Sequence, residues 1–465
     1  MTNTDPEDTL GVVASERRRL GNFWLGVVTA VSVGAIVRFA VLVDKWDQPL
    51  LLNDSLYYSG QAQQLARGQF FREVFVDQPG AEHGPLTSML MAPLSWMETS
   101  TPWQRLVTVV CGIATIVVIG LLGRAVAGPR VGVVAAALAA VYPNLWMNDG
   151  LVMSESVSVL AVSLVLLATH RRVRRPTVTD EARRVDVGLL GLGMLAGLAV
   201  LARSELALLV PIIAVLLWRS ARRHLGSGAD WRRAALPPLA VLVGVGTVVA
   251  PWVVFNLIRF ERPVLLTTND GTTLLGAYCD PVFGDELLGG WSVLCVLDDP
   301  AYSKFEEPSV RSARQRAMAV AYARAHVDDL PRVVAARIGR TLDLYGLDSL
   351  VEQDVGEERY RWASWSGIVA WWGLALVGGL AVWSSRRTMP SSTRWLLASP
   401  CAVVAVSTIV FYGAHRIRSS MEPTVVVFAA IGIVTSVEGW STRRRRTLPP
   451  ASGGRDGARR AALLP

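Results

Sequence analysis

The chain has 465 residues, of which 51% are hydrophobic and 18% charged, and its mean hydropathy is +0.37. These proportions exclude an ordinary soluble globule, and several apolar runs approach the roughly 20 residues that cross a bilayer as a helix. The formal net charge of +8 comes mostly from arginine clusters beside those runs, where cytoplasmic anchoring explains it without a nucleic-acid partner.

Segment 1–21 is polar and then basic, ending near Arg17, Arg18 and Arg19. The apolar run from Phe23 to Val43 exceeds the roughly 7–15 residues of a signal-peptide core, so it is read as a retained first span at 22–43. The positive-inside rule makes the N-terminus cytoplasmic and sends the next stretch, 44–102, to the outer face. That stretch carries Asp54, Tyr57, Tyr58, Glu73, Asp77, Glu82 and His83. Its segment 85–97, PLTSMLMAPLSWM, is too short to span and is expected to lie at the interface. Counting it as a crossing would put the HRRVRR and RSARRH clusters outside, against the rule.

Further spans are expected at 103–123, 131–147 and 155–170, then two within 187–218 separated by Arg203-Ser204-Glu205. The others fall at 235–257, 364–384, 395–412 and 423–440. The result is an all-α polytopic membrane protein of about ten transmembrane helices with both termini cytoplasmic. It divides into an N-terminal module at 22–257, a small outer cap at 258–362 and C-terminal helices at 363–440. The cap has turn-rich pieces and then helical periodicity over 308–345, with Arg332, Arg337 and Arg340 placed along the membrane surface. Cys279 and Cys295 share this region, and outside the cytoplasm they are expected to form a disulfide. The tail 441–465 opens with Arg443–Arg446 and reads as disordered.

This topology gathers particular groups on one face. To the acids of 44–102 it adds Asn148, Asp149 and Glu155, then Arg203 and Glu205, and finally His415, Arg416 and Arg418. An arginine fork grips phosphate oxygens in a bidentate manner, and a carboxylate can take a proton from an attacking hydroxyl. A lipid phosphate would set its tail among the spans and its head among these groups. Ordinary roles compete at each position. Asp54 suits a helix N-cap for 55–67, and His83 suits a surface loop. Tyr57 and Tyr58 suit the interfacial aromatic belt, and an Arg203–Glu205 pair suits a hairpin turn. Arg38 is the main ionisable residue inside a span.

The stretch DSLYYSGQAQQLARGQFF resembles the first-loop pattern of the polyprenyl-phosphate-sugar-dependent glycosyltransferases of GT-C fold, above all the protein mannosyltransferase and aminoarabinose transferase group. Asp54, Tyr57, Tyr58, Ala62, Leu65 and Gly68 carry the pattern, and His83 and Pro85 match its following segment. Glu155 matches an acid heading a later span, Arg203 a Gly-Leu-Ala-x-Leu-x-Arg segment, and Arg416, Arg418 and Pro423 a late Arg-Tyr-Arg and Pro pattern. Ser55 stands where the family often has Glu, which weakens a metal or second-carboxylate role there; Gly84 replaces a proline.

The resemblance implies inverting transfer of a sugar, of mannose or arabinose type, from a polyprenyl-phosphate donor to an acceptor hydroxyl on protein, lipid or polysaccharide. It makes Asp54 the general base. Arg203, Arg416 and Arg418 hold the phosphate, while His83, Glu155, Tyr57 and Tyr58 bind substrate. Arginines can stabilise the leaving phosphate, so no cofactor is expected and a divalent metal is not required. The Arg-rich, Lys-poor composition suits a bacterial plasma membrane. A lipid-carrier flippase or transporter is the alternative reading.

Overall fold

A computed structural model describes residues 6–51, 54–97, 99–174, 186–225, 231–284 and 287–447. Of the tail 441–465, expected to be disordered, residues 441–447 instead continue the helix Glu422–Thr447, and the rest, from residue 448, lies outside the described residues. Among those described, the regular elements are helices, with an isolated antiparallel bridge between Arg72 and Pro79. The reason is elementary. Apolar runs placed in lipid must pair every backbone N–H and C=O within themselves.

Among the described residues, eight helices are long and apolar enough to cross a membrane: Leu20–Asp44, Thr101–Ala127, Glu155–Arg174, Ser204–Leu225, Trp231–Arg259, Arg361–Ser385, Ser391–Val410 and His415–Trp440. The other two expected spans fall on shorter apolar helices, Pro129–Val141 and Val187–Ala202. The order is the expected one, and the chain is a multi-pass membrane protein. The third span ends at Val141 instead of 147, because Pro143 disfavours helical conformation at Tyr142. The first helix starts at Pro6 and runs continuously into the span; a proline at the first position suits a helix start. Segment 85–97 forms the helix Pro85–Met91 and a 3-10 turn, Ala92–Leu94, well short of a span.

Small residues let the helices meet closely. A Cβ on Gly193 would lie 2.2 Å from Val241 O, and one on Gly244 would lie 2.3 Å from Leu190 O. Without a hydrophobic driving force inside lipid, such backbone-to-backbone approach is what binds Val187–Ala202 to Trp231–Arg259. Leu25, Ile36, Val43, Ile258 and Val369 are exposed on the spans, as lipid-facing positions should be. Arg38 is fully buried, with Nε donating to Asp149 Oδ2 at 2.7 Å and Nη1 to Ala140 O at 3.1 Å. Asp149 is therefore a buried counter-ion and not an outer-loop carboxylate.

Region 258–362 is more helical than expected. It contains Asn269–Leu275, Pro308–Ala325, Leu330–Thr341 and Leu347–Gly356. A disulfide joins Cys279 to Cys295, and Val282, Phe283, Leu288, Val333 and Ala336 form a small local core. Arg337 and Arg340 do not lie along a surface; both are buried. Arg337 Nη1 donates to Ile409 O at 2.8 Å, and Arg340 Nε donates to Gly413 O at 3.3 Å. The helix Ser391–Val410 ends with carbonyls lacking intrahelical partners, and Arg337 donates to two of them, Ile409 O and Val410 O, while Arg340 holds the chain just beyond at Gly413. Arg332 alone of the three is exposed. The cap is thus bolted to the end of a span.

Candidate active site

The helix Asp54–Ala66 and the hairpin after it are built as one piece. Gln64 Nε2 donates to Glu73 O at 3.1 Å, and Gln61 Nε2 donates to Arg72 O. Gly80 N closes the hairpin onto Phe71 O at 2.8 Å. From there the chain runs to His83 and Gly84, where a Cβ would come within 2.4 Å of Leu201 O. Only glycine allows that approach, and it sets His83 against the head of the helix.

Tyr57 and Tyr58 do not join an interfacial belt. Both rings are buried around His83: Tyr58 stacks on it at 4.9 Å between centroids, and Tyr57 meets it edge-on at 5.2 Å. Tyr57 Oη also accepts from Glu82 N at 2.9 Å. His83 is therefore enclosed, not a surface loop residue, and its Nε2 lies 3.5 Å from Asp54 Oδ1.

Asp54 opens its helix, and its other oxygen accepts from Arg416 Nη2 at 2.6 Å. Burial works against ionisation there, but the Arg416 charge and then His83 hold the carboxyl well below the usual carboxylate range. Burial likewise opposes charge on His83, and the Asp54 carboxylate overcomes it, raising the imidazole. Asp54 is a partly exposed anion, its side chain 27% accessible.

Arg416 binds three carboxylates from three distant segments. Besides Asp54 these are Glu155, with Nε to Oε1 at 3.2 Å, and Glu357, with Nη1 to Oε1 at 3.1 Å. Glu155 heads its own helix and is fully buried; Oε1 also accepts from Arg203 Nη1 at 3.1 Å, while Oε2 has no hydrogen-bond partner among the described residues. Arg203 Nε donates to Glu205 Oε1 at 2.5 Å, so the expected pair exists, but Arg203 reaches beyond it to Glu155. Its backbone is extended between Val187–Ala202 and the 3-10 turn Ser204–Leu208, which breaks the helix at the arginine.

Glu357 was missed by sequence reasoning. It lies in the cap, where no pattern singled it out among the acids of VGEERYRW, and only folding brings it to Arg416. Arg418 is not beside Asp54. Its Nη1 donates to Asp343 Oδ2 at 2.6 Å and its Nε to Glu422 Oε1 at 2.8 Å, with the guanidinium over Trp371. Two residues along a helical turn point Arg416 and Arg418 in different directions. Glu73 is buried, and burial followed by the charge of Glu82 pushes its carboxyl up to about 7. Asp77 is exposed and pairs with Arg72.

Residues 82–255, a minority of the chain, match the sequence model of the dolichyl-phosphate-mannose-protein mannosyltransferase family. No curated protein matches the chain. Among solved structures, it is similar to the archaeal oligosaccharyltransferase AglB from Archaeoglobus fulgidus in complex with an inhibitory peptide and a dolichol-phosphate. That match has TM-score 0.57 and 14% identity, covering 93% of this chain and 52% of that one. The chain has the GT-C fold. The same archaeal enzyme tethered to an acceptor peptide gives TM-score 0.56 and 13% identity over 91% of this chain and 51% of that one. ArnT from Cupriavidus metallidurans bound to undecaprenyl phosphate gives 0.43 and 15%, over 91% and 81%. This GT-C chain spans about half the length of the oligosaccharyltransferases it matches.

Proposed function

We propose that this chain is a membrane glycosyltransferase that moves a sugar from a polyprenyl-phosphate carrier to an acceptor hydroxyl, with Asp54 as general base. The carrying observation is Asp54 itself: a partly exposed carboxylate, held ionised by Arg416, at the head of a helix beside two further arginine-bound acids, Glu155 and Glu357. The GT-C fold supports this reading, as does the mannosyltransferase match over 82–255. So does the dolichol-phosphate bound to the archaeal relative.

In the proposed reaction Asp54 takes the proton of the acceptor hydroxyl. The freed oxygen bonds to the anomeric carbon as the bond from that carbon to the phosphate oxygen breaks, and the electron pair leaves on the phosphate. A single displacement of this kind inverts the anomeric centre. Arg416 and Arg203 bear on the leaving phosphate, where fixed positive charge in a water-poor site is most effective. Their present partners, Glu155, Glu205 and Glu357, keep both forks oriented before substrate arrives. His83 holds Asp54 from its other oxygen. Mannose is the sugar favoured by the matching family, arabinose the alternative; the acceptor belongs to protein, lipid or polysaccharide. The site faces outward in a bacterial plasma membrane with both termini cytoplasmic, which keeps the arginine clusters inside and the disulfide outside.

The test is transfer of radiolabel from polyprenyl-phosphate mannose to endogenous acceptors in membranes carrying the full chain. Label appears in acceptor with the wild type and is lost with Asp54→Asn. Equal labelling in membranes lacking the chain overturns mannose as the sugar, and the same result with polyprenyl-phosphate arabinose overturns the proposal.

A further inference from the structure

Behind Arg416 lies a second buried network that the proposed reaction does not use. His415 stands between two acids of the cap: Nδ1 is 2.7 Å from Asp354 Oδ2 and Nε2 is 2.7 Å from Asp343 Oδ1. Burial opposes ionisation of Asp343, but Arg418 and then His415 hold it below the usual range; His415 and Arg359 do the same for Asp354. Ionised carboxylates only accept hydrogen bonds. A histidine that satisfies both must donate from both nitrogens, which only the imidazolium can do.

The geometry assigns His415 as a positioning residue: its imidazolium clamps Asp343 and Asp354 onto the turn His415–Arg418 and so fixes the direction of Arg416. The assignment rests on the reading of Asp54 and Arg416 given above. Three features carry it. The clamp is adjacent in sequence to Arg416, so the backbone cannot move one without the other. The Asp354 it holds also binds Arg359 Nη1 at 3.3 Å, and Arg359 donates to Glu357, the third carboxylate on Arg416. The turn His415–Arg418 is the free end of the span His415–Trp440, joined to the long helix Glu422–Thr447 only through the 3-10 turn Ser419–Met421, so contacts from the cap are what fix that end.

The charged groups around His415 come from each packed element. Asp343 and Arg340, which binds Gly413 O, come from the end of Leu330–Thr341, and Asp354 from Leu347–Gly356. Arg359 lies beyond Asp354. Arg418 and, past it, Glu422 lie on the turn and the helix that follows. Positions 407–410 of the packed span carry no charged side chain. Loss of the imidazolium proton as pH rises therefore leaves two buried carboxylates sharing Arg418 and Arg359, and the clamp opens on the alkaline side.

The experiment uses the full chain in lipid nanodiscs. Hydrogen exchange over 343–357 and 414–421 at pH 7 should rise about tenfold in His415→Gln, where one charge-assisted bond to each acid is lost. Unchanged exchange in both segments overturns the clamp. In the transfer assay with polyprenyl-phosphate mannose, His415→Gln should lower kcat about a hundredfold, the scale of a misplacement near 1 Å. His415→Lys, which stays charged, should recover part of that loss and move the alkaline limb of the kcat profile upward. Equal losses in the two variants with an unmoved limb would mean a purely structural histidine and refute the assignment. If the wild type transfers neither mannose nor arabinose from polyprenyl phosphate while exchange rises in His415→Gln, the glycosyltransferase reading fails and the clamp stands.

Discussion

Replacing Asp54 by Asn removes one proton acceptor and almost nothing else. The amide is isosteric with the carboxylate, and its oxygen can still accept from Arg416 Nη2, 2.6 Å away in the wild type. Arg416 keeps Glu155 and Glu357, so no buried cation is stranded. The lost ion pair is partly exposed on the Asp54 side, and its removal should cost about 1 kcal/mol or less of stability. General-base catalysis contributes about 10²–10⁴ in rate, so kcat should fall by that factor while donor KM changes little. The measurement is initial-rate transfer from labelled polyprenyl-phosphate mannose by full-length chain, with folding checked by melting temperature. Asp77→Asn is the control: the same change in the same loop, at an exposed carboxylate paired with Arg72, should leave the rate unaltered. A rate for Asp54→Asn within about threefold of wild type, below the smallest general-base contribution, would refute the base assignment.

Three other outcomes follow from the same geometry. Arg416→Lys keeps the charge but cannot reach three carboxylates with a planar fork, so it should reduce kcat/KM by about a hundredfold, and wild-type kinetics would argue against phosphate gripping there. Arg38→Met strands Asp149 inside the bundle at a cost of about 3–5 kcal/mol and should abolish accumulation of folded chain, whereas adding Asp149→Leu should restore it; equal yields of the single and double variants would contradict the pairing. Glu73 has its folded pKa raised to about 7, so its contribution is favourable at acid pH and is lost as pH climbs through that value. Glu73→Gln should therefore stabilise the chain at pH 8, by an amount on the order of 3 kcal/mol, and give no gain at pH 4, where melting curves of the two proteins should coincide. A gain independent of pH would show that the carboxyl is not the cause.

Hydrophobic runs of membrane length and the arginines beside them determined the helical class, the order of the ten segments and the shortness of 85–97, because lipid leaves a chain no other way to satisfy its backbone. Asp54, Glu155, Arg203 and Arg416 were legible as chemistry-bearing residues because each heads or interrupts an apolar run, where an ionisable group stands out. Residues 54, 155, 203, 357 and 416 are brought together only by packing between helices, which no local pattern encodes. Tertiary structure alone separated Arg416 from Arg418, two residues apart on one turn, and gave the first to Asp54 and the second to Asp343 and Glu422. It also recruited Glu357 from the cap and turned Arg337 inward onto the free carbonyls at the end of Ser391–Val410 and Arg340 onto Gly413 O just past it, because both sets of carbonyls needed donors. Composition and spacing state which groups a chain owns; the crossing of its helices decides which of them meet.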